Sequence, residues 1–210
     1  MTGFPGCREV VVPPRITPEE APDWVRARLA GQVGTRWVAV DGFGAAGKST
    51  LARRIAAALR GASVVAVDDF ARADRPDWHR DLFTRAVVEP LLAGRPARYQ
   101  RWDLLTDTGL DRVEVPPGRP VVVEGVSAAD ARLPVPWDLV LWVEVSEEVR
   151  RARIAARDDP ALLVRWQREW WPSEEAYAAS QRPWERADAV VVGPEAVLPG
   201  ERGQRRVERR

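Results

Sequence analysis

The chain has 210 residues, 45% of them hydrophobic and 30% charged, yet its formal net charge at pH 7 is only +1. That length suits one domain with a sizeable core, and the near-neutral balance argues against a nucleic-acid partner, which calls for a basic excess. A single cysteine, Cys7, excludes an internal disulfide and a cysteine-based zinc cluster, and no apolar run or signal-like start points to a membrane, so a soluble, cytoplasmic protein is expected.

Residues 1–17 carry three prolines and little periodicity and are expected to form a flexible arm, with a short extended piece around Val10–Val12. From Thr17-Pro18-Glu19-Glu20 to about Gly31 the pattern predicts a helix: Thr17 can cap, Pro18 fits the first turn, and Trp24, Val25, Arg28 and Leu29 recur at helical spacing. Trp37-Val38-Ala39-Val40 then predicts a buried strand, and Leu51 to Leu59 a helix. Between them lies Asp41-Gly42-Phe43-Gly44-Ala45-Ala46-Gly47-Lys48-Ser49-Thr50, which satisfies G-x-x-x-x-G-K-[ST] in the strand–loop–helix context that the motif requires. Such a loop turns successive backbone N–H groups inward as an anion nest. Gly42, Gly44, Ala45, Ala46, Gly47, Lys48, Ser49 and Thr50 are therefore the candidate nucleotide-phosphate contacts, with Lys48 reaching the terminal phosphates and Ser49 a magnesium ion. Lys48 is the sole lysine in a chain with 32 Lys plus Arg. It stands where a compact ammonium fits the nest better than a planar guanidinium.

Ser63 to Val67 predicts a second buried strand, ending in Asp68-Asp69-Phe70. Ligands of parallel sheets bind beyond the carboxyl ends of the strands, so these acids are expected to face the phosphate loop. A polar loop at 71–78 precedes an amphipathic helix marked by Leu82, Phe83, Ala86, Val87 and Leu91 and ending near Gly94. Residues 96–116 read as a small hairpin outside the main sheet. Pro120 to Gly125 predicts a third strand ending in Glu124, and Leu139 to Val145 a fourth. Ser146 opens an arginine-rich helix carrying Arg150, Arg151, Arg153 and Arg157. That helix breaks at Asp158-Asp159-Pro160 and is followed by a tryptophan-rich one in which Trp166 and Trp170 share a face and are expected to pack on the core. Ala189 to Val192 predicts a fifth strand, and residues 194–210 a disordered tail. The expectation is one α/β P-loop domain over 18–193: a five-stranded, mainly parallel sheet flanked by helices, with a β-hairpin excursion and a helical lid at about 150–171.

The ordered set DGFGAAGKST, VDDF, YQRWD, VVVEG and RRARIAARD resembles the uridine kinase and phosphoribulokinase superfamily of small-molecule kinases over about residues 36–193. The resemblance implies ATP and Mg²⁺ as cofactors. It implies that Asp68 serves as base toward the acceptor hydroxyl, that Glu124 stands near the metal with Ser49, and that Arg150, Arg153 and Arg157 flank a mobile lid, with Arg157 and Arg153 meeting phosphates. For the acceptor it implies Asp74, in a segment similar to F-D-H-P-D, and the hairpin residues Tyr99, Trp102 and Asp103. Where a pyrimidine-reading histidine is expected, this chain has Asp107, and its only histidine, His79, lies elsewhere. A kinase of a nucleoside such as uridine or cytidine is the leading expectation. A nucleoside monophosphate, a sugar phosphate or a pantothenate-like alcohol as acceptor, and a nucleotide-binding module without transfer activity, remain alternatives.

Overall fold

A computed structural model describes residues 12–72 and 77–193. Its frame is a six-stranded parallel sheet in the order β1-β8-β7-β2-β6-β3, built from β1 (Arg15–Ile16), β2 (Arg36–Gly42), β3 (Ser63–Ala66), β6 (Pro120–Glu124), β7 (Leu139–Glu144) and β8 (Ala189–Val192). The two strands β4 (Ala97–Asp103) and β5 (Thr108–Val115) pair antiparallel as a separate hairpin. The central strands are covered on both faces, and this is why they read as unbroken valine-rich runs. Successive side chains still alternate. Trp37, Val121 and Val123 enter one core with Phe70, Phe83, Val87 and Leu91. Val38, Val40 and Val122 enter the other with Leu51, Ile55 and Leu141.

The strand count corrects the expected five. The sixth, β1, lies in the stretch expected to be a flexible arm: Arg15 and Ile16 pair with Val190 and Val191, and Val190 N donates to Pro14 O at 2.9 Å. Two residues carry no alternation to read, and the pairing is a backbone matter set by the exposed edge of β8. The extended piece expected at Val10–Val12, Cys7 and the tail 194–210 lie wholly or largely outside the described residues.

Thr17 and Glu20 form a reciprocal capping box, with Glu20 N on Thr17 Oγ1 at 3.2 Å and Thr17 N on Glu20 Oε2 at 2.8 Å. It leads into α1 (Ala21–Leu29). Helix α2 (Lys48–Ala58) follows the phosphate loop. The amphipathic stretch after residue 79 is α3 (Arg80–Phe83), a π-helical turn at Thr84–Val88, and α4 (Glu89–Leu92). The arginine-rich stretch is α5 (Glu147–Arg157), capped by the Ser146 side chain. After Asp158 the chain restarts as α6 (Pro160–Arg165), capped by Asp159, and runs through a π-helical turn at Trp166–Trp170 into α7 (Trp171–Gln181). Among the described residues no helix is long and apolar enough to cross a membrane.

Candidate active site

β2, β3 and β6 all end at one edge of the sheet, and this shared edge assembles the site. β2 delivers the phosphate loop. Gly47 takes φ of +100° as it caps α2, a conformation strained for any residue with a Cβ. It lets the loop aim its amides at the helix N-terminus, the fixed positive end that anions seek. Lys48 is 7% exposed, and its Nζ donates to Phe43 O at 2.8 Å, which folds the ammonium back over the loop. β3 delivers Asp68 through a 3₁₀ turn at Val67–Phe70, and β6 delivers Glu124, also 7% exposed. Glu124 feels Lys48 and Asp68, and the nearby Ser49 hydroxyl favours its ionised form.

One cleft of about 1620 Å³ joins these groups, large enough for a nucleotide and a second small molecule. Its two ends differ. Pro18, Thr50, Leu51 and Val191 line the end beside α2, whereas Asp77, Trp78, Arg101 and Trp102 line the end beside the hairpin. Asp68 lines the cleft too, within the field of Lys48 and next to Asp69, which bonds the hairpin. Its carboxylate opens on the cleft, but protein atoms crowd it on the other sides, and this burial raises its pKa above the ordinary aspartate value. Lys48 opposes the rise, Asp69 adds to it and Arg157 opposes it. Burial likewise raises Glu124, against the pull of Lys48.

Asp69 has a different post. It is 7% exposed and accepts Tyr99 Oη at 3.2 Å and Arg101 Nε at 3.0 Å, tying the 3₁₀ turn to the hairpin. Tyr99 itself, expected in the substrate pocket, is a core residue stacked on Phe70 at 4.8 Å and does not line the cleft. The alternation of β4 turns Ala97 and Tyr99 inward, and an irregularity between Gln100 and Trp102 then re-aims the strand. Trp102 and Asp103 do line the cleft. Asp103 Oδ1, however, accepts Leu105 N at 2.8 Å and shapes the hairpin turn, and Asp107 accepts Trp102 Nε1 at 2.9 Å. Asp74 lies outside the described residues.

The arginines of α5 divide as well. Arg153 Nη1 donates to Ala45 O at 3.0 Å, so it rests on the phosphate loop. Arg157 lines the cleft and pairs with Asp158 at 2.5 and 2.9 Å. Arg150 points the other way, over the Phe43 ring at 4.5 Å and 3.6 Å from Glu174, and is a buttress behind the loop.

Sequence reasoning missed the contribution of α7. Glu174, Tyr177 and Gln181, at helical spacing, form one face. Glu174 Oε1 accepts the Gly44 N–H at 3.0 Å, and burial raises its pKa. Tyr177 Oη donates to Asp41 at 2.6 Å. Gln181 Nε2 donates to Asp130 at 2.8 Å. Asp41 is fully buried and also takes the amides of Gly42, Ser127 and Ala129 at 2.7, 3.0 and 3.0 Å. Burial raises its pKa against these donors. Trp166, expected to pack on the core, is buried at 8% exposure, and it is buried against the phosphate loop, so close that a Cβ on Gly44 would stand 2.5 Å from its ring. The polar i, i+3, i+7 spacing of α7 was the available signal for this contact face.

Phosphate loop, converging carboxylates and parallel sheet define a P-loop α/β fold. This fold is that of the uridine kinase-like P-loop kinases. It matches a possible uridine kinase from Bacillus stearothermophilus with a TM-score of 0.63 and 20% identity, over 82% of this chain and 98% of that one. It matches a provisionally named fructose transport system kinase from Silicibacter sp. TM1040 with a TM-score of 0.60 and 25% identity, over 85% and 98%. No protein-family model matches the chain, and no curated protein does.

Proposed function

We propose that the protein is a kinase that transfers the γ-phosphoryl group of ATP to a hydroxyl of a small metabolite. The single observation that carries the reading is the position of Asp68, a cleft-lining carboxylate just after β3, within the field of Lys48 and next to Asp69, which bonds the hairpin. Phosphoryl transfer asks a protein mainly for positioning and charge neutralisation. Lys48 and the loop amides would hold the phosphates, and Arg153 and Arg157 would swing from Ala45 O and Asp158 to phosphate oxygens as charge develops. Asp68 would accept the proton of the acceptor hydroxyl as its oxygen attacks the γ-phosphorus and the bond to the β-phosphate oxygen breaks.

The donor set at Ser49 and Glu124 is all oxygen, and the described residues contain no cluster of three or more metal-ligating side chains. That suits magnesium, which keeps waters and phosphate oxygens as ligands and takes few from the protein. Ser49 would hold it directly and Glu124 through its waters, and when bound it neutralises phosphate charge.

A nucleoside such as uridine or cytidine is the acceptor that the resemblance favours. A free sugar or other polyol is the second reading, favoured by Asp107: it is spent on the Trp102 indole, so the hairpin offers no base-reading side chain at that turn. The test is ADP release from Mg²⁺-ATP with the purified chain and a panel of nucleosides, nucleotides, sugars and small alcohols. Acceptor-dependent turnover is expected, and release that no acceptor raises above the acceptor-free rate contradicts the reading.

A further inference from the structure

The phosphate loop is engaged by groups of its own chain. The Gly44 N–H donates to Glu174 Oε1 at 3.0 Å, the Lys48 ammonium to Phe43 O at 2.8 Å, and Arg153 Nη1 to Ala45 O at 3.0 Å. Lys48 and Arg153 rest on carbonyls. Gly44 instead holds a carboxylate, an anion on an amide of a loop whose amides are shaped to hold anions.

Glu174 is more than a strut between α7 and the loop. Its side chain is 5% exposed and lines the cleft. Only one of its oxygens is bonded. Oε2 has no hydrogen-bond partner among the described residues, and Arg150 Nη1 stands 3.6 Å away, beyond hydrogen-bond length. A carboxylate that served only to brace the loop would be expected to use both oxygens, because a buried oxygen left bare is destabilising. Its field also reaches the reacting groups: burial raises the Glu174 pKa, the Gly44 amide, Lys48 and Arg150 oppose the rise, and Asp68 adds to it. Lys48 is the cation proposed for the terminal phosphates and Asp68 the base proposed beside them, so a γ-phosphate placed between them would enter the same field.

The surroundings let Glu174 give way. α7 is anchored further along, at Tyr177–Asp41 and Gln181–Asp130. Before Glu174 the chain runs through the π-helical turn at Trp166–Trp170, a kind of turn that concentrates at functional sites. Trp166, which covers Gly44, is tied to Asp158 at 2.7 Å, and Asp158 also holds Arg157. Arg157, Asp158, Trp166 and Glu174 thus make one connected edge against the loop.

Resting on the ATP-binding half of the kinase reading, we infer that the Glu174 carboxylate occupies the phosphate loop in the place of the γ-phosphate and is displaced by it, so that Glu174 sets how strongly ATP binds relative to ADP. A triphosphate brings its last negative charge against a buried carboxylate and competes with it for the Gly44 N–H, and like charges this close in a partly desolvated site repel strongly. A diphosphate lacks the group that contends for that place, and Glu174 stays on the loop. Part of the intrinsic affinity for ATP therefore goes into moving Glu174, and the segment that carries Trp166 and Glu174 is seated differently on ATP and on ADP.

The test is calorimetric titration of the full chain, with Mg²⁺ at neutral pH, by ADP and by the non-hydrolysable ATP analogue AMP-PNP. Glu174→Gln keeps an oxygen for the Gly44 N–H and removes the charge. It is expected to tighten AMP-PNP about tenfold and ADP less than about twofold. Unchanged or weaker AMP-PNP binding, or an equal gain for both nucleotides, overturns the inference, and a carboxylate that merely braces the loop gives one of these results. Glu174→Ala removes charge and contact together and is expected to shift the ratio of the two affinities in the same direction; a ratio shifted the other way overturns the inference. In the parent chain, amide exchange over residues 166–174 is expected to be at least about threefold faster with AMP-PNP than with ADP, and equal or slower exchange overturns it. The kinase reading fails separately, if no acceptor raises ADP release while Glu174→Gln still tightens AMP-PNP selectively. Failure of parent and variants alike to bind either nucleotide overturns both.

Discussion

Gly44→Ala tests the contact between the phosphate loop and the helical segment above it. Gly44 does not have a left-handed backbone, so alanine meets no conformational strain and the effect is steric. Its Cβ would lie 2.5 Å from Trp166 Cη2 and 2.7 Å from Glu174 Oε1. Trp166 cannot simply rotate, since its Nε1 is held by Asp158 at 2.7 Å and its ring sits edge-on to Trp170 at 4.7 Å. Overpacking costs about 1–3 kcal/mol, and a lost hydrogen bond to the Glu174 carboxylate adds about 1.5–3 kcal/mol. Because α7 is also anchored at Tyr177 and Gln181, the strain is expected to release locally by lifting 158–174 from the loop. Even 2 kcal/mol corresponds to about 30-fold faster amide exchange there, together with a shift in tryptophan fluorescence. Exchange and fluorescence identical to the parent in a folded Gly44→Ala protein would refute the contact as drawn.

Lys48→Ala is expected to abolish turnover with the far-UV circular dichroism retained, because its ammonium supplies charge at the phosphates and bonds only the loop's own Phe43 carbonyl; near-normal kcat contradicts this. Tyr177→Phe leaves the buried Asp41 carboxylate one donor short, at a cost of about 1–3 kcal/mol, which for a chain of this size lowers Tm by roughly 2–4 °C per kcal/mol. The loss is expected to shrink as pH falls, because burial raises the Asp41 pKa and its protonated form needs fewer donors; a loss that grows in acid contradicts the assignment. Since burial also raises the Asp68 pKa, and a base must be ionised, kcat/KM is expected to fall on acidification with its midpoint above the ordinary aspartate value of about 4; a profile flat to that pH counts against Asp68.

Much of the sheet was legible because β2, β6 and β7 are buried on both faces, and a run such as Val121-Val122-Val123 has few other folds to join. The phosphate loop was legible for a related reason: its residue types are dictated by backbone geometry local to a few positions. β1 was not legible, because a two-residue edge strand is selected by the backbone of β8, which no side-chain pattern announces. Tyr99 was misplaced because its motif fixes the hairpin, but an irregularity two residues on decides which face looks into the cleft. Glu174 and Asp41 escaped notice since their partners, Gly44 and Tyr177, lie 130 and 136 residues away in the chain. Long-range pairs of this kind are set by topology.

The most direct test compares Asp68→Asn with Asp69→Asn in steady-state ATP turnover and thermal unfolding. Asp68 is the cleft-facing carboxylate placed to take the acceptor proton, so its amide is expected to lower kcat by about 10²-fold or more, with little change in ATP affinity or Tm. Asp69 holds Tyr99 and Arg101, so its amide is expected to lower Tm and leave most of kcat. The reverse pattern, with turnover lost at Asp69 and kept at Asp68, would contradict the account of this site.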